Sequence, residues 1–195
     1  MKKIMITILV AALILFGTSF ALQGAAARKA QEEHLWLMQT LLPGSESFFV
    51  EPYGGEDTNI VSVHKAENGF VVETLVYGYA DNIRMLTAVN NDGNVTGLVV
   101  LEAHETMGLG SKALTDHVFL KQFLNSAGTF EIATHGADTF SSATGTADAD
   151  AGETVEVDGI TGATVTSKAI AKSVNSAVGF VTGADVASSA TTWGG

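Results

Sequence analysis

The sequence predicts an α+β protein. Apolar residues recur at helical spacing near both ends of the chain. Between them lie runs rich in Val, Ile and Thr that end at Gly, Asn and Asp. The order is helix, several strands, helix, strands, helix, without the strict strand–helix alternation of a doubly wound sheet. At 195 residues, the chain has room for one membrane or targeting segment and one compact domain.

The first element is apolar. Lys2 and Lys3 precede nineteen uncharged, mostly apolar residues from Ile4 to Leu22. As a helix this run is about 28 Å long, close to the thickness of a bilayer's hydrocarbon core. It reads as a membrane anchor over residues 1–26. A cleaved signal peptide, with small residues at Ala25, Ala26 and Ala27, is the competing reading. Both send the remainder out of the cytoplasm. Lys2 and Lys3 on one side and Arg28 and Lys29 on the other leave the positive-inside rule nearly balanced.

A linking helix is expected over residues 27–44, with Leu35, Met38, Leu41 and Leu42 on one face, ending at Pro43-Gly44. Trp36 on it reads as an interfacial or helix-packing residue. A domain over residues 45–184 follows. After a turn at 54–59, strands are expected at 60–66, 69–80 and 83–105, the last folded into a hairpin at Asp92-Gly93. These form an antiparallel sheet. A helix is expected from Leu114 to Leu124, where Phe119 and Phe123, and Leu120 and Leu124, stand four apart. Strands at 129–136 and 154–158 flank a polar, acidic insert at 137–153. The last helix carries Ile170, Val174, Ala177, Val178 and Val181 on one face, and residues 185–195 read as a loose tail.

Composition narrows the function. Beyond residue 44 there are 19 acidic residues against 6 basic ones, a formal −13, which repels phosphate backbones and argues against nucleic-acid binding. The chain has no cysteine, so disulfides, thiolate metal sites and iron–sulfur clusters are excluded. His34, His64, His104, His117 and His135 are scattered over different elements with no ligand spacing, and no metal site is expected. Asn94-Val95-Thr96 matches a glycosylation sequon, but in a hairpin turn it reads as structure.

Two stretches carry more than structure needs. "DGITGATVTS", residues 158–167, follows a strand and opens a helix. Its backbone N–H groups and the positive end of the helix dipole suit a phosphate. Gly159 and Gly162 would let a ligand approach the backbone, and Thr161, Thr164, Thr166 and Ser167 offer hydroxyls as caps or as groups open to modification. A well-capped helix after a glycine turn explains the same residues without a ligand. The stretch is neither a Walker A loop nor a dinucleotide fingerprint. "HETMGLGSK", residues 104–112, sets Leu109 between Gly108 and Gly110, which suits contact with a flat ring as well as it suits an ordinary loop.

Taken together, "DGITGAT" resembles the flavinylation motif D-x-x-[ST]-G-A-T of the FMN-binding domain family, and "ETMGLGSK" is similar to that family's E-T-P-G-L-G-x-K loop. The order "LLPG…GYADNI…AVNNDGNVTGLVVLEAHET" is similar to the G subunits of Rnf ferredoxin:NAD oxidoreductases within the family. The resemblance implies FMN joined through its phosphate to Thr164 by a flavin transferase outside the cytoplasm. It implies that Asp158, Thr161, Gly162 and Ala163 are recognised by that enzyme, with Thr166 and Ser167 beside them. It further implies that Glu105, Thr106, Gly108, Leu109, Gly110 and Lys112 lie along the isoalloxazine. Met107 stands where the family usually has proline.

The role implied is an electron-transfer subunit of a membrane-bound Rnf-type complex, a redox carrier enzymatic only within the assembly. Its partners would be other membrane subunits, and the reaction would be ferredoxin-to-NAD electron transfer coupled to ion translocation. The equivalent subunit of the sodium-pumping NADH:quinone reductase and a stand-alone extracytoplasmic flavoprotein are alternatives within the resemblance. A cofactor-free anchored interaction module is the alternative outside it.

Overall fold

A computed structural model describes residues 28–105, 110–133 and 153–183. The expected membrane anchor, Thr106 to Leu109, the acidic insert up to residue 152 and the C-terminal tail lie outside the described residues. Among those described, no helix is long and apolar enough to cross a membrane. The chain divides into two compact units, Met1–Leu37 and Met38–Gly195. The described part of the first is helical, with an exposed Lys29–Glu33 ion pair at 3.8 Å and Trp36 63% exposed.

The second unit is α+β, built on a five-stranded antiparallel meander. Its strands are β1 (Phe49–Glu51), β2 (Ile60–Ala66), β3 (Gly69–Tyr77), β4 (Asn82–Asn90) and β5 (Val95–Ala103), adjacent in chain order. Short turns dictate this topology, because antiparallel neighbours need only tight connections. The hairpin between β4 and β5 falls at Asp92-Gly93 as expected: Gly93 N–H donates to Asn90 O at 3.0 Å, and the Asn90 side chain accepts from Asp92 and Asn94 N–H. Strand β1 was not anticipated. All three of its residues are exposed, so it carries no alternating pattern to detect.

Alternation along the strands gives the sheet two apolar faces. One places Val63, Val72, Val76, Met85, Val89 and Val95 beneath helix α4 (Thr164–Thr182). The other sets Ala66, Val71, Leu86 and Ala88 against Met38, Leu41 and Leu42, at the end of helix α1, described over residues 28–41. The chain leaves α1 through Gly44 at φ 88°, and Asn68 Nδ2 holds the Pro43 carbonyl at 2.8 Å. Thr96, the sequon threonine, donates to Leu41 O at 2.8 Å.

One expectation is corrected. The helix expected from Leu114 to Leu124 is two short helices, α2 (Gly110–Thr115) and α3 (His117–Lys121). Asp116 divides them because its carboxylate accepts from Val118 and Phe119 N–H, at 2.9 and 3.1 Å, as an N-cap. The i, i+4 aromatic pair survives the break: Phe119 and Phe123 are buried with ring centroids 5.4 Å apart. The two later strands fall where expected, as β6 (Thr129–Ala133) and β7 (Thr154–Asp158), and form a separate parallel pair.

Helix α4 also differs from the single apolar stripe expected of it. Ile170, Val174, Ala177 and Val178 are buried, and so are Thr166, Ser167, Ser173, Asn175 and Ser176. These polar side chains survive burial by bonding across the interface. Thr74 and Ser173 share a hydrogen bond of 2.5 Å, and Asn175 brackets the backbone of Phe130 in β6.

Candidate functional site

The site forms where β7 turns into α4. Strand β7 ends at Asp158, whose N–H donates to Gln122 Oε1 at 2.9 Å while Gln122 Nε2 donates to Asp158 O at 3.2 Å. Gly159 follows, packed so that a Cβ there would lie 2.6 Å from Ile132 Cγ2. The turn closes with Ala163 N–H donating to Ile160 O at 2.9 Å, and Gly162 takes φ 80°, a conformation that glycine adopts without penalty.

Helix α4 then begins without a side-chain cap. Its N-cap residue is Ala163, and the first helical bond runs from Ser167 N–H to Ala163 O at 2.8 Å. The N–H groups of the first turn precede any intrahelical acceptor, so they present an uncapped, electropositive end.

The four hydroxyls gathered here divide into two pairs. Thr166 and Ser167 are buried, at 1% and 0% exposure. Thr166 Oγ1 donates to Glu105 Oε2 at 2.7 Å, and Ser167 Oγ accepts from Ile160 N–H at 3.1 Å. Thr161 and Thr164 are exposed. Helix geometry explains the difference between Thr164 and Thr166: residues two apart on a helix point about 200° apart, so pinning Thr166 inward turns Thr164 outward.

Thr164 faces a cavity of about 320 Å³ lined by Tyr79, Gly110, Gly162, Ala163, Val165 and Thr166 as well. Of the loop residues expected at this site, Gly110 reaches the cavity wall. Glu105 stands behind it, with Oε1 accepting from Tyr79 and Ala80 N–H at 2.9 and 3.2 Å. Lys112 lies exposed in α2 and outside the lining. Asp158 ends β7, Thr161 belongs to the turn that leads into α4, and neither lines the cavity. Thr106, Gly108 and Leu109 lie outside the described residues.

Sequence reasoning missed Tyr79 and Val165. Tyr79 is 64% exposed in the turn between β3 and β4, and nothing in its neighbours marks it as part of a site completed by a helix far along the chain. Gln122 was missed for the same reason: its role depends on α3 meeting β7 in space. Outside the cavity, His104 and Asp81 approach to 3.9 Å, both largely exposed.

An aromatic wall, bare glycine backbone and an uncapped helix end together suit a planar ligand that carries a phosphate. Comparison with known proteins agrees. Residues 78–179 match the FMN-binding domain family, and the chain belongs to that family. The matched span runs from the Tyr79 turn through most of α4, and so contains every residue that lines the cavity. Two strains of Cereibacter sphaeroides each have a similar protein, named as the G subunit of an ion-translocating oxidoreductase complex. Each is 33% identical over 114 residues, 53% of this chain and 52% of the relative. The G subunit of the Na(+)-translocating ferredoxin:NAD(+) oxidoreductase complex of Acetobacterium woodii is 41% identical over 46 residues, 23% of this chain and 22% of the relative. The chain thus spans about half the length, or less, of the curated relatives it matches.

Proposed function

We propose that this chain is an electron-transfer subunit of a membrane-bound, Rnf-type ion-translocating oxidoreductase, and that Thr164 carries its FMN through a phosphoester bond. One observation carries the reading: of the four hydroxyls at the start of α4, Thr164 alone is both exposed and on the cavity wall. The names of the relatives support the assignment to an ion-translocating redox complex.

The chain's own residues have clear tasks in this reading. Thr164 Oγ1 forms the bond to phosphorus. Taken from FAD by a flavin transferase, the transfer breaks the pyrophosphate link, releases AMP and frees the hydroxyl proton. The first-turn N–H groups of α4 hold the resulting phosphodiester, whose negative charge is favoured at a helix N-terminus. Burial and hydrogen bonding of Thr166 and Ser167 direct the modification to one hydroxyl. Tyr79 supplies an apolar face with a polar edge. When bound, the flavin supplies the one- and two-electron chemistry; the protein sets its position and surroundings. A covalent link also makes retention independent of dissociation, which suits a domain on the outer side of a membrane.

In this reading residues 1–26 are the anchor, 27–44 the linking helix, 45–184 the extracytoplasmic FMN domain and 185–195 the tail. Other membrane subunits of the complex are then its partners. The test is flavin fluorescence in a denaturing gel, with the full chain coexpressed with an extracytoplasmic flavin transferase. Wild type and Thr161→Ser should fluoresce, and Thr164→Val should not. Signal persisting in Thr164→Val would move the attachment elsewhere, and a dark wild type would remove the covalent flavin altogether.

A further inference from the structure

Separate segments of the chain converge on the carboxylate of Glu105. Its Oε1 accepts from Tyr79 and Ala80 N–H, at 2.9 and 3.2 Å, in the turn between β3 and β4. Its Oε2 accepts from Thr166 Oγ1, at 2.7 Å, in the first turn of α4. Helix α2 begins against it: a Cβ on Gly110 would lie 2.7 Å from Oε2 and 3.2 Å from Thr166 Oγ1. Gly78 lies equally close, where a Cβ would strike Oε1 and sit 2.8 Å from Ile83 Cδ1. Two glycines packed against one carboxylate, and three donors bonded to it, leave the group little freedom.

We propose that Glu105 is a positioning residue, a clamp that ties the Tyr79 turn to the first turn of α4 and so fixes the two walls of the cavity at their separation. The resemblance to relatives implies that this residue lies along the flavin ring, whereas here its carboxylate is committed to the protein. Its two oxygens bond to groups 26 residues earlier and 61 residues later in the chain. The clamp also sets which hydroxyl is reachable. Thr166 bonded inward holds the helical phase, and the phase turns Thr164 into the cavity. A carboxylate suits this task because one group with two oxygens accepts from a backbone pair and a hydroxyl together. It also sits beside the first turn of a helix, where negative charge is favourable.

The proposal rests on the reading of Thr164 only for its functional consequence, and its test separates the two. In the full chain without flavin, amide exchange is measured at Tyr79, Ala80 and the first turn of α4. Glu105→Ala should speed exchange at Tyr79 and Ala80 by about tenfold or more, as expected for losing a charge-assisted bond. Glu105→Gln should keep protection near wild type, because its carbonyl can accept from both N–H groups while its amide donates to Thr166. With the flavin transferase present, Thr166→Val and Glu105→Ala should lose most of the covalent flavin. Thr166→Ser and Glu105→Gln should retain it.

The Thr166 pair guards against a misfolded Glu105→Ala, since valine is nearly isosteric with threonine and the serine variant restores the bond. Unchanged exchange at Tyr79 and Ala80 in Glu105→Ala would overturn the clamp. So would full flavin attachment in both Glu105→Ala and Thr166→Val. If the wild type takes no flavin while the exchange results hold, the Thr164 reading fails and the clamp stands.

Discussion

Asn175 offers the most direct test of how α4 is held. Phe130 sits in β6, where Thr129 N–H bonds to Glu153 O at 2.7 Å on the β7 side. In a parallel ladder the next residue turns its backbone groups the other way, towards the open edge. There the side chain of Asn175 meets both: Oδ1 accepts from Phe130 N–H at 2.8 Å and Nδ2 donates to Phe130 O at 2.9 Å. A side-chain amide thus stands in for a neighbouring strand, with Asn175 at 7% and Phe130 at 2% exposure.

Asn175→Leu keeps the heavy-atom count and the branching at Cγ and orphans both Phe130 groups away from water. Each buried, unsatisfied group costs about 1–3 kcal/mol, so the pair costs about 2–6 kcal/mol. For a chain of this size that corresponds to a fall in Tm of about 2–4 °C per kcal/mol. Asn175→Asp keeps the acceptor but sets a carboxylate oxygen against the Phe130 carbonyl. It should lose at least as much at neutral pH. The repulsion raises the pKa of the new carboxyl in the folded state, so stability returns as pH falls and the protonated acid donates. Equilibrium urea unfolding of the full chain, followed by circular dichroism, measures all three. A Leu variant within about 0.5 kcal/mol of wild type would refute the reasoning, since that is the range of an uninvolved surface change.

Other predictions rest on single contacts. Thr74→Val strands the Ser173 hydroxyl beneath α4 and should cost about 1–3 kcal/mol, while the double variant with Ser173→Ala should cost less than the sum of the two single changes; a double-mutant cycle in urea measures the coupling. Asp116→Ala removes the cap between α2 and α3 and should lower stability by about 1 kcal/mol, read from the shift in urea midpoint. Gly162→Ala forces a side chain into the left-handed region at φ 80°; it should cost about 1–2 kcal/mol and reduce flavin attachment by tilting the turn before Thr164, measured by unfolding and gel fluorescence.

Much of the fold was legible because its signals are local. The hairpin at Asp92-Gly93, the stop at Pro43-Gly44 and the long final helix each depend on a few neighbouring residues whose backbone preferences are strong. The break at Asp116 was not read because the helical spacing of Phe119 and Phe123 continues through it. A capping aspartate inside an apolar pattern looks like one more polar position. Strand β1 was missed because an exposed three-residue edge has no pattern, and the parallel pairing of β6 with β7 because pairing partners far apart in sequence leave no local trace.

The sequence by itself determined that a strand would feed a helix through a glycine turn crowded with hydroxyls, since glycine, threonine and serine have fixed backbone and bonding preferences. Residue types alone could not say which hydroxyl would remain available; only the family resemblance singled out Thr164. Availability was decided by tertiary structure, because Thr166 is held inward only if Glu105, 61 residues away, arrives to accept its hydrogen bond, and Thr164 faces the cavity only if Thr166 is held. Tyr79 likewise becomes a wall of the site only when the turn after β3 is brought to the start of α4. Chemical potential for a site is written in residue types; its assignment to one atom depends on contacts that no local pattern records.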